Sequence, residues 1–230
     1  MQLILLRHGQ SKWNLENRFT GWKDVGLTST GEKEAAFAGK QLVNQNIKIK
    51  SVYTSLLKRA VETTNIVVKN ICFPENQIKY EWRLNERHYG ALQGLNKSET
   101  AAKYGEDQVQ IWRRSFDTPP PSLTLDDKRH PRFNKKFHEI DNQHLPTGES
   151  LKMVIERLNP FWDKYFEEIK FIDNSHLIVA HSNTLRAIVK ILDNLSNQEI
   201  IKINIPTGVP LVYTFGKGNN IIDKKYLIDD

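Results

Sequence analysis

The sequence predicts an α/β fold: one domain over residues 1–230, built in three layers, with a mostly parallel sheet covered by helices on both faces. Three observations carry this. Short, uniformly apolar runs recur as LILL (3–6), SVY (51–53) and HLIVA (176–180), which is how strands buried on both faces read. Helical patterns with recognisable starts alternate with those runs. A chain of 230 residues with 39% hydrophobic and 10% aromatic content is long enough to bury one sizeable core.

In chain order, LILL is the first strand. Ser29 with Glu32 three residues on forms a capping-box pattern ahead of KEAAFAGKQLV, so a helix starts there. SVY is the second strand, and Thr54 or Ser55 is placed to cap the helix LLKRAVETTNIVVKNI. From about 116 to 148 the periodicity disappears into a segment with five of the nine prolines. It reads as a long loop or lid insertion, and loops of that length commonly carry function. Glu149 to Ile169 reads as a long amphipathic helix with a kink or break at Pro160. HLIVA is a further strand leading into the helix TLRAIVKILDNL. PLVYTFGKGNNIIDKKYLIDD reads as a strand, a Gly-Asn turn and a short return segment.

Composition excludes several classes of function. Lys+Arg 33 against Asp+Glu 27 leaves +6, and the basic residues are spread along the chain. That favours an anionic small molecule over nucleic acid, for which a basic cluster with interleaved aromatics is expected. Cys72 is the one cysteine, so neither an intramolecular disulfide nor a cysteine metal site can form, and a reducing, cytoplasmic compartment fits. No apolar run approaches the ~20 residues of a membrane span, and the N-terminus has no signal-peptide pattern.

Ligands of open parallel sheets bind beyond the carboxyl ends of the strands, so the residues just after each apolar run matter most. LILL runs into Arg7, His8 and Gly9; LIVA runs into His181, Ser182 and Asn183; SVYTS is followed by Arg59 in the first turn of its helix. Two imidazoles and two guanidiniums at three strand exits predict a strongly cationic site for an anion.

The motifs RHGQSKWN, FTGW, YTSLLKRA, WRLNERHYGALQGLNK, WRRSFDTPPP, AHSNTLRA and IPTGVPLVY resemble the cofactor-dependent phosphoglycerate mutases of the histidine phosphatase superfamily. The resemblance runs from Leu3 to about Tyr226. It implies that His8 carries the phosphate, with Arg7, Arg59 and His181 around the transferring group and Glu86 as the proton-transfer carboxylate. A neutral His8 is required for attack, and the neighbouring arginines disfavour its charged form. Its tautomer is expected to be fixed by a hydrogen bond to the backbone at Gly9, leaving the other ring nitrogen free.

The resemblance further implies substrate binding by Arg7, Ser11, Asn14, Thr20, Gly21, Arg59, Glu86, Tyr89, Lys97, Arg113, Arg114, Ser182 and Asn183. It implies 2,3-bisphosphoglycerate as primer, phosphoglycerates as substrates, no metal, and a homo-oligomer, with a dimer favoured. Three departures stand out. Ser182 replaces a usual glycine after the second histidine; Gly148 precedes Glu149, which is expected to loosen the lid side; and the tail ends at Asp230, which is expected to leave the site less fully covered. The nearest competing activity is a phosphatase of the same superfamily, against which Lys97 and WRRSFD argue, because they imply a second anionic group on the ligand.

Overall fold

The computed structural model describes residues 1–169, 174–218 and 220–228. In chain order the elements are β1 (Gln2–Arg7), α1 (Lys12–Leu15), α2 (Ser29–Asn44), β2 (Ile49–Thr54), α3 (Lys58–Asn70), β3 (Lys79–Tyr80), α4 (Lys97–Tyr104), α5 (Glu106–Arg114), α6 (Leu151–Ile169), β4 (Ser175–Ala180), α7 (Ser182–Leu192), α8 (Glu199–Lys202), β5 (Leu211–Phe215) and β6 (Ile221–Tyr226). The six strands form one sheet in the order β3-β2-β4-β1-β5-β6. β1, β2, β3 and β4 pair in parallel, and β5 runs antiparallel to both β1 and β6. The exposed two-residue edge strand β3 is an element that the apolar runs do not announce.

Period-two alternation along β1 divides the core. Leu3 and Leu5 pack with Val154 and Leu158 of α6 and Leu185 and Ile188 of α7. Ile4 and Leu6 face the other way, onto Ala38 and Leu42 of α2 and Val67 and Val68 of α3. These four residues, the middle of β1, are fully buried, which explains a run with no polar alternation and makes the assembly three-layered. β1 and β4 are adjacent in the middle of the sheet, in register from Gln2 opposite Ser175 to Arg7 opposite Ala180. The residues that follow, His8 and His181, therefore leave the sheet side by side.

Several local expectations shift. α2 is capped by Thr28, whose side chain accepts from the Gly31 amide, one residue before the anticipated Ser29. α3 begins after Leu57 with no side-chain cap; Thr54 instead donates to the Val179 carbonyl and Ser55 turns into the site. α6 is continuous through Pro160. Pro160 lies on the exposed face of the helix, where the carbonyl it frees one turn back can reach water.

The 116–148 segment contains three short 3-10 turns, at Pro131–Phe133, Lys135–Phe137 and Asn142–His144. It is anchored by Phe137 and Leu145, which pack on Trp22 and Leu57 in a small core of their own. Gly148 is buried, and a Cβ added to it would lie 3.3 Å from the Pro120 carbonyl oxygen and 3.5 Å from Gly90 Cα. Asp230 lies outside the described residues. No helix among the described residues is long and apolar enough to cross a membrane.

His176 on β4 is 1% exposed, its Nδ1 paired with Ser51 Oγ at 2.7 Å. Burial first, then Lys79 and the N-terminal amine, push its pKa down to about 4, against about 6.5 in an unfolded chain. The unfolded state therefore binds the extra proton, and stability falls as pH drops from about 6.5 to about 4. Denaturant unfolding at steps across that range is expected to show a pH slope smaller by nearly one bound proton in His176→Gln than in the parent.

Candidate active site

The site forms where β1 and β4 end. The His8 amide continues the sheet by donating to the Ala180 carbonyl at 3.0 Å. The Gly9 amide donates to Thr63 Oγ1 of α3 at 3.1 Å. Gly9 lies so near Gly31 that a Cβ on it would sit 2.1 Å from the Gly31 carbonyl oxygen. Glycine is thus required here for contact with the start of α2, and that contact sets where the chain turns after His8.

His8 Nδ1 lies 2.7 Å from the Gly9 carbonyl oxygen, which makes Nδ1 the protonated nitrogen. Nε2 is then an acceptor, and Arg59 Nε donates to it at 3.2 Å. The lone pair expected to be free is thus engaged by Arg59. Burial, then Arg59 and Arg7, holds the His8 pKa well below its ordinary value, against an opposing contribution from the Gly9 carbonyl. The ring is neutral at physiological pH.

His181 stacks obliquely on it, ring centres 5.0 Å apart. Its Nε2 is 2.7 Å from Ser55 Oγ, and burial followed by Arg59 and His8 keeps it neutral as well. Arg59 is buried. It donates to the Gly21 carbonyl at 2.9 Å and the Lys23 carbonyl at 3.1 Å; Gly21 turns its carbonyl there from a left-handed conformation, φ 53°. Arg7 Nη1 donates to the Ile205 carbonyl at 2.7 Å.

Glu86 is the carboxylate of the cavity wall. Its Oε1 accepts from its neighbour's amide, Arg87, at 2.8 Å and from the Asn183 amide at 3.1 Å. The second donor belongs to the first turn of α7, whose amides have no partner within the helix. The segment carrying Glu86 is fastened from outside the cavity: Glu149 accepts from the His88 amide and from Arg157 Nε, while Arg157 also donates to the Arg83 and Asn85 carbonyls.

A cavity of about 200 Å³ opens on these groups. Its walls bring together Arg7, His8, Asn14, Thr20, Gly21, Arg59, Glu86, Tyr89, Lys97, Arg113, Arg114, Ser182 and Asn183. His181 stands behind His8 and is not part of the wall. Ser11 is also set back: fully buried, it caps α1 and bonds Asn14 Oδ1 at 2.9 Å, so it positions Asn14.

Arg18, Arg186 and Asn204 complete the wall and were not anticipated, nor was Ser55 as the partner of His181. Arg186 carries a signal, three residues after Asn183 and so on the same face of a helix. Arg18 and Asn204 carry none, because folding alone brings their loops to the cavity. No residue of 116–148 lines it.

The histidine phosphatase superfamily (branch 1) profile matches residues 3–128 and 122–226. A protein of Borreliella afzelii named 2,3-bisphosphoglycerate-dependent phosphoglycerate mutase is 51% identical over 100% of this chain and 92% of its own length. Proteins of the same name from Bacteroides fragilis and Hydrogenobaculum sp. are 50% and 49% identical, over 100% and 99% of this chain and 92% of their own lengths. Among solved structures, a mycobacterial glucosyl-3-phosphoglycerate phosphatase superposes with TM-score 0.73 at 21% identity, covering 98% of this chain and 96% of that one, a likeness of fold. Matched almost end to end by these relatives, and with paired histidines at the exits of its two central strands, this chain belongs to branch 1 of the histidine phosphatase superfamily and, within it, to the 2,3-bisphosphoglycerate-dependent phosphoglycerate mutase family.

Proposed function

We propose that this protein interconverts 3-phosphoglycerate and 2-phosphoglycerate through a phosphorylated His8, the step shared by glycolysis and gluconeogenesis. One observation supports this most. The neutral His8 sits beside Arg59 and His181, and the wall of the same cavity carries Arg7, Arg59, Lys97, Arg113 and Arg114. Each phosphate of a ligand brings about 1.5 to 2 negative charges, and so many cations on one wall suit a ligand with more than one anionic group.

His8 attacks through Nε2, the nitrogen left unprotonated by the Gly9 hydrogen bond. Arg59 then turns its Nε–H from that nitrogen to a phosphoryl oxygen. Arg7 and Arg59 stabilise charge spread over the equatorial oxygens, where clamping matters more than covalent help. Glu86 accepts the proton of the attacking hydroxyl and later returns it. Lys97, Arg113 and Arg114 hold the distal anion while the ligand reorients. When bound, 2,3-bisphosphoglycerate supplies the phosphoryl group that primes His8.

The donor set suits phosphate and disfavours a divalent ion, since arginine is always cationic and repels it. The reading also includes a cytoplasmic homodimer and a minor phosphatase activity toward the bisphosphate.

Incubation with 2,3-bisphosphoglycerate is expected to add one acid-labile phosphate, visible by intact-mass spectrometry and missing in His8→Ala. A phosphate that persists in the variant overturns the assignment of His8. Mutase activity with 3-phosphoglycerate is expected to survive a chelator and to be inhibited by orthovanadate, which mimics five-coordinate phosphorus; loss in chelator and recovery with manganese would refute this chemistry. Replacing Arg113 and Arg114 together by alanine removes two charge-assisted contacts of roughly 1.5 to 3 kcal/mol each. Mutase kcat/KM is then expected to fall about a hundredfold or more, while phosphate release from 2,3-bisphosphoglycerate falls far less. Equal losses would show that these arginines do not partition the ligand between transfer and hydrolysis.

A further inference from the structure

Arg186 lies on α7 with 1% of its surface exposed. Its Nη1 donates to Asn183 Oδ1 at 2.9 Å and its Nη2 to the Ile200 carbonyl at 2.7 Å. A guanidinium has no acceptor, so the Asn183 carboxamide must present its oxygen to Arg186 and its nitrogen away. That nitrogen, Nδ2, lies 3.3 Å from the Tyr89 hydroxyl oxygen and donates to it. From the opposite segment, Arg87 Nη2 donates to the same oxygen at 3.3 Å, with the guanidinium packed on the Tyr89 ring at 4.8 Å. Arg87 is fixed in turn by the Arg113 carbonyl at 2.6 Å.

A tyrosine hydroxyl offers one hydrogen and two lone pairs. Here both lone pairs face N–H donors, so the hydrogen must point elsewhere, and Tyr89 lines the cavity. We propose that Arg186 is a positioning residue: by locking the Asn183 carboxamide, it and Arg87 hold Tyr89 as a dedicated hydrogen-bond donor to an anionic oxygen of the substrate. The device selects against a ligand that offers a hydroxyl hydrogen at that point, since Tyr89 has no lone pair left to accept it. The inference rests on the mutase reading for the identity of the substrate but not for the geometry.

The test is a double-mutant cycle of Arg186→Met and Tyr89→Phe, read in kcat and KM for 3-phosphoglycerate. In parallel, dissociation constants for 3-phosphoglycerate and inorganic phosphate are measured by calorimetry. Each single change is expected to raise KM about tenfold, with kcat held within about twofold, and the double variant to be no worse than Tyr89→Phe alone. Multiplying effects would show that Arg186 acts on the ligand or on the fold independently of Tyr89, and would overturn the proposal. Should Arg186→Met fail to fold, Arg186→Lys keeps the charge while its single ammonium cannot serve Asn183 and Ile200 as the fork does. A smaller rise in KM is then expected, again vanishing in the Tyr89→Phe background; a rise that persists there overturns the proposal. A parent protein that binds 3-phosphoglycerate without turning it over would refute the mutase reading and leave the cycle legible in the dissociation constants.

Discussion

The whole site depends on gathering guanidinium groups in a buried cavity without cancelling their charge. Carboxylate partners would satisfy the N–H groups but leave little field for an anionic ligand. For most of these arginines the protein uses backbone carbonyls instead. Arg7 donates to Ile205, Arg59 to Gly21 and Lys23, Arg87 to Arg113, Arg114 to Ile203 and Arg186 to Ile200. A carbonyl supplies a hydrogen bond and no net charge, so the cations are oriented and the positive potential stays. Burial lowers the pKa of Arg59 and of Arg186 to about 10, still far above physiological pH.

That potential sets the state of the histidine proposed as nucleophile. His8 and His181 are pushed toward neutrality by burial and by the same arginines, and a neutral imidazole is the form that can attack phosphorus. The carboxylate that is admitted, Glu86, is held in place on the cavity wall by two backbone amides. Charge pairing is kept to the margin and the outside: on the wall Arg18 pairs with Glu16 at 2.8 Å, and behind it the buried Glu149–Arg157 pair, at 2.6 Å, ties the 83–88 segment to α6. A buried pair of this kind costs desolvation and contributes little net stability. Its return is positional, because Arg157 also reaches the Arg83 and Asn85 carbonyls and so fixes the strand of chain that carries Glu86.

The layers of the fold were legible because burial leaves a mark on residue type. LILL and HLIVA are apolar without alternation since β1 and β4 are covered by helices on both faces. The paired histidines were legible for a related reason, since they follow those runs directly. Helix starts were less legible: Thr28, not Ser29, caps α2, and Ser55 serves His181 instead of capping α3. Short polar side chains satisfy whichever donor lies nearest, and that depends on what has packed beside them. The behaviour of 116–148 was also hidden. Its proline content announced a loop, but its anchoring through Phe137 and Leu145 on Trp22 required the other elements to be in place.

The three-layer sheet, the strand exits and the kinds of group found there can be read along the chain, because hydrophobic periodicity and motif chemistry are local properties. Which atom meets which follows from packing between distant segments. The bond from Arg59 Nε to His8 Nε2, the carbonyls that hold each arginine, the set-back of Ser11, and the chain of donors from Arg186 through Asn183 to Tyr89 depend on angles and distances between segments. Most of these join residues tens to almost two hundred positions apart. A hydrogen bond is selected within a few tenths of an ångström, a margin that packing sets and composition does not encode.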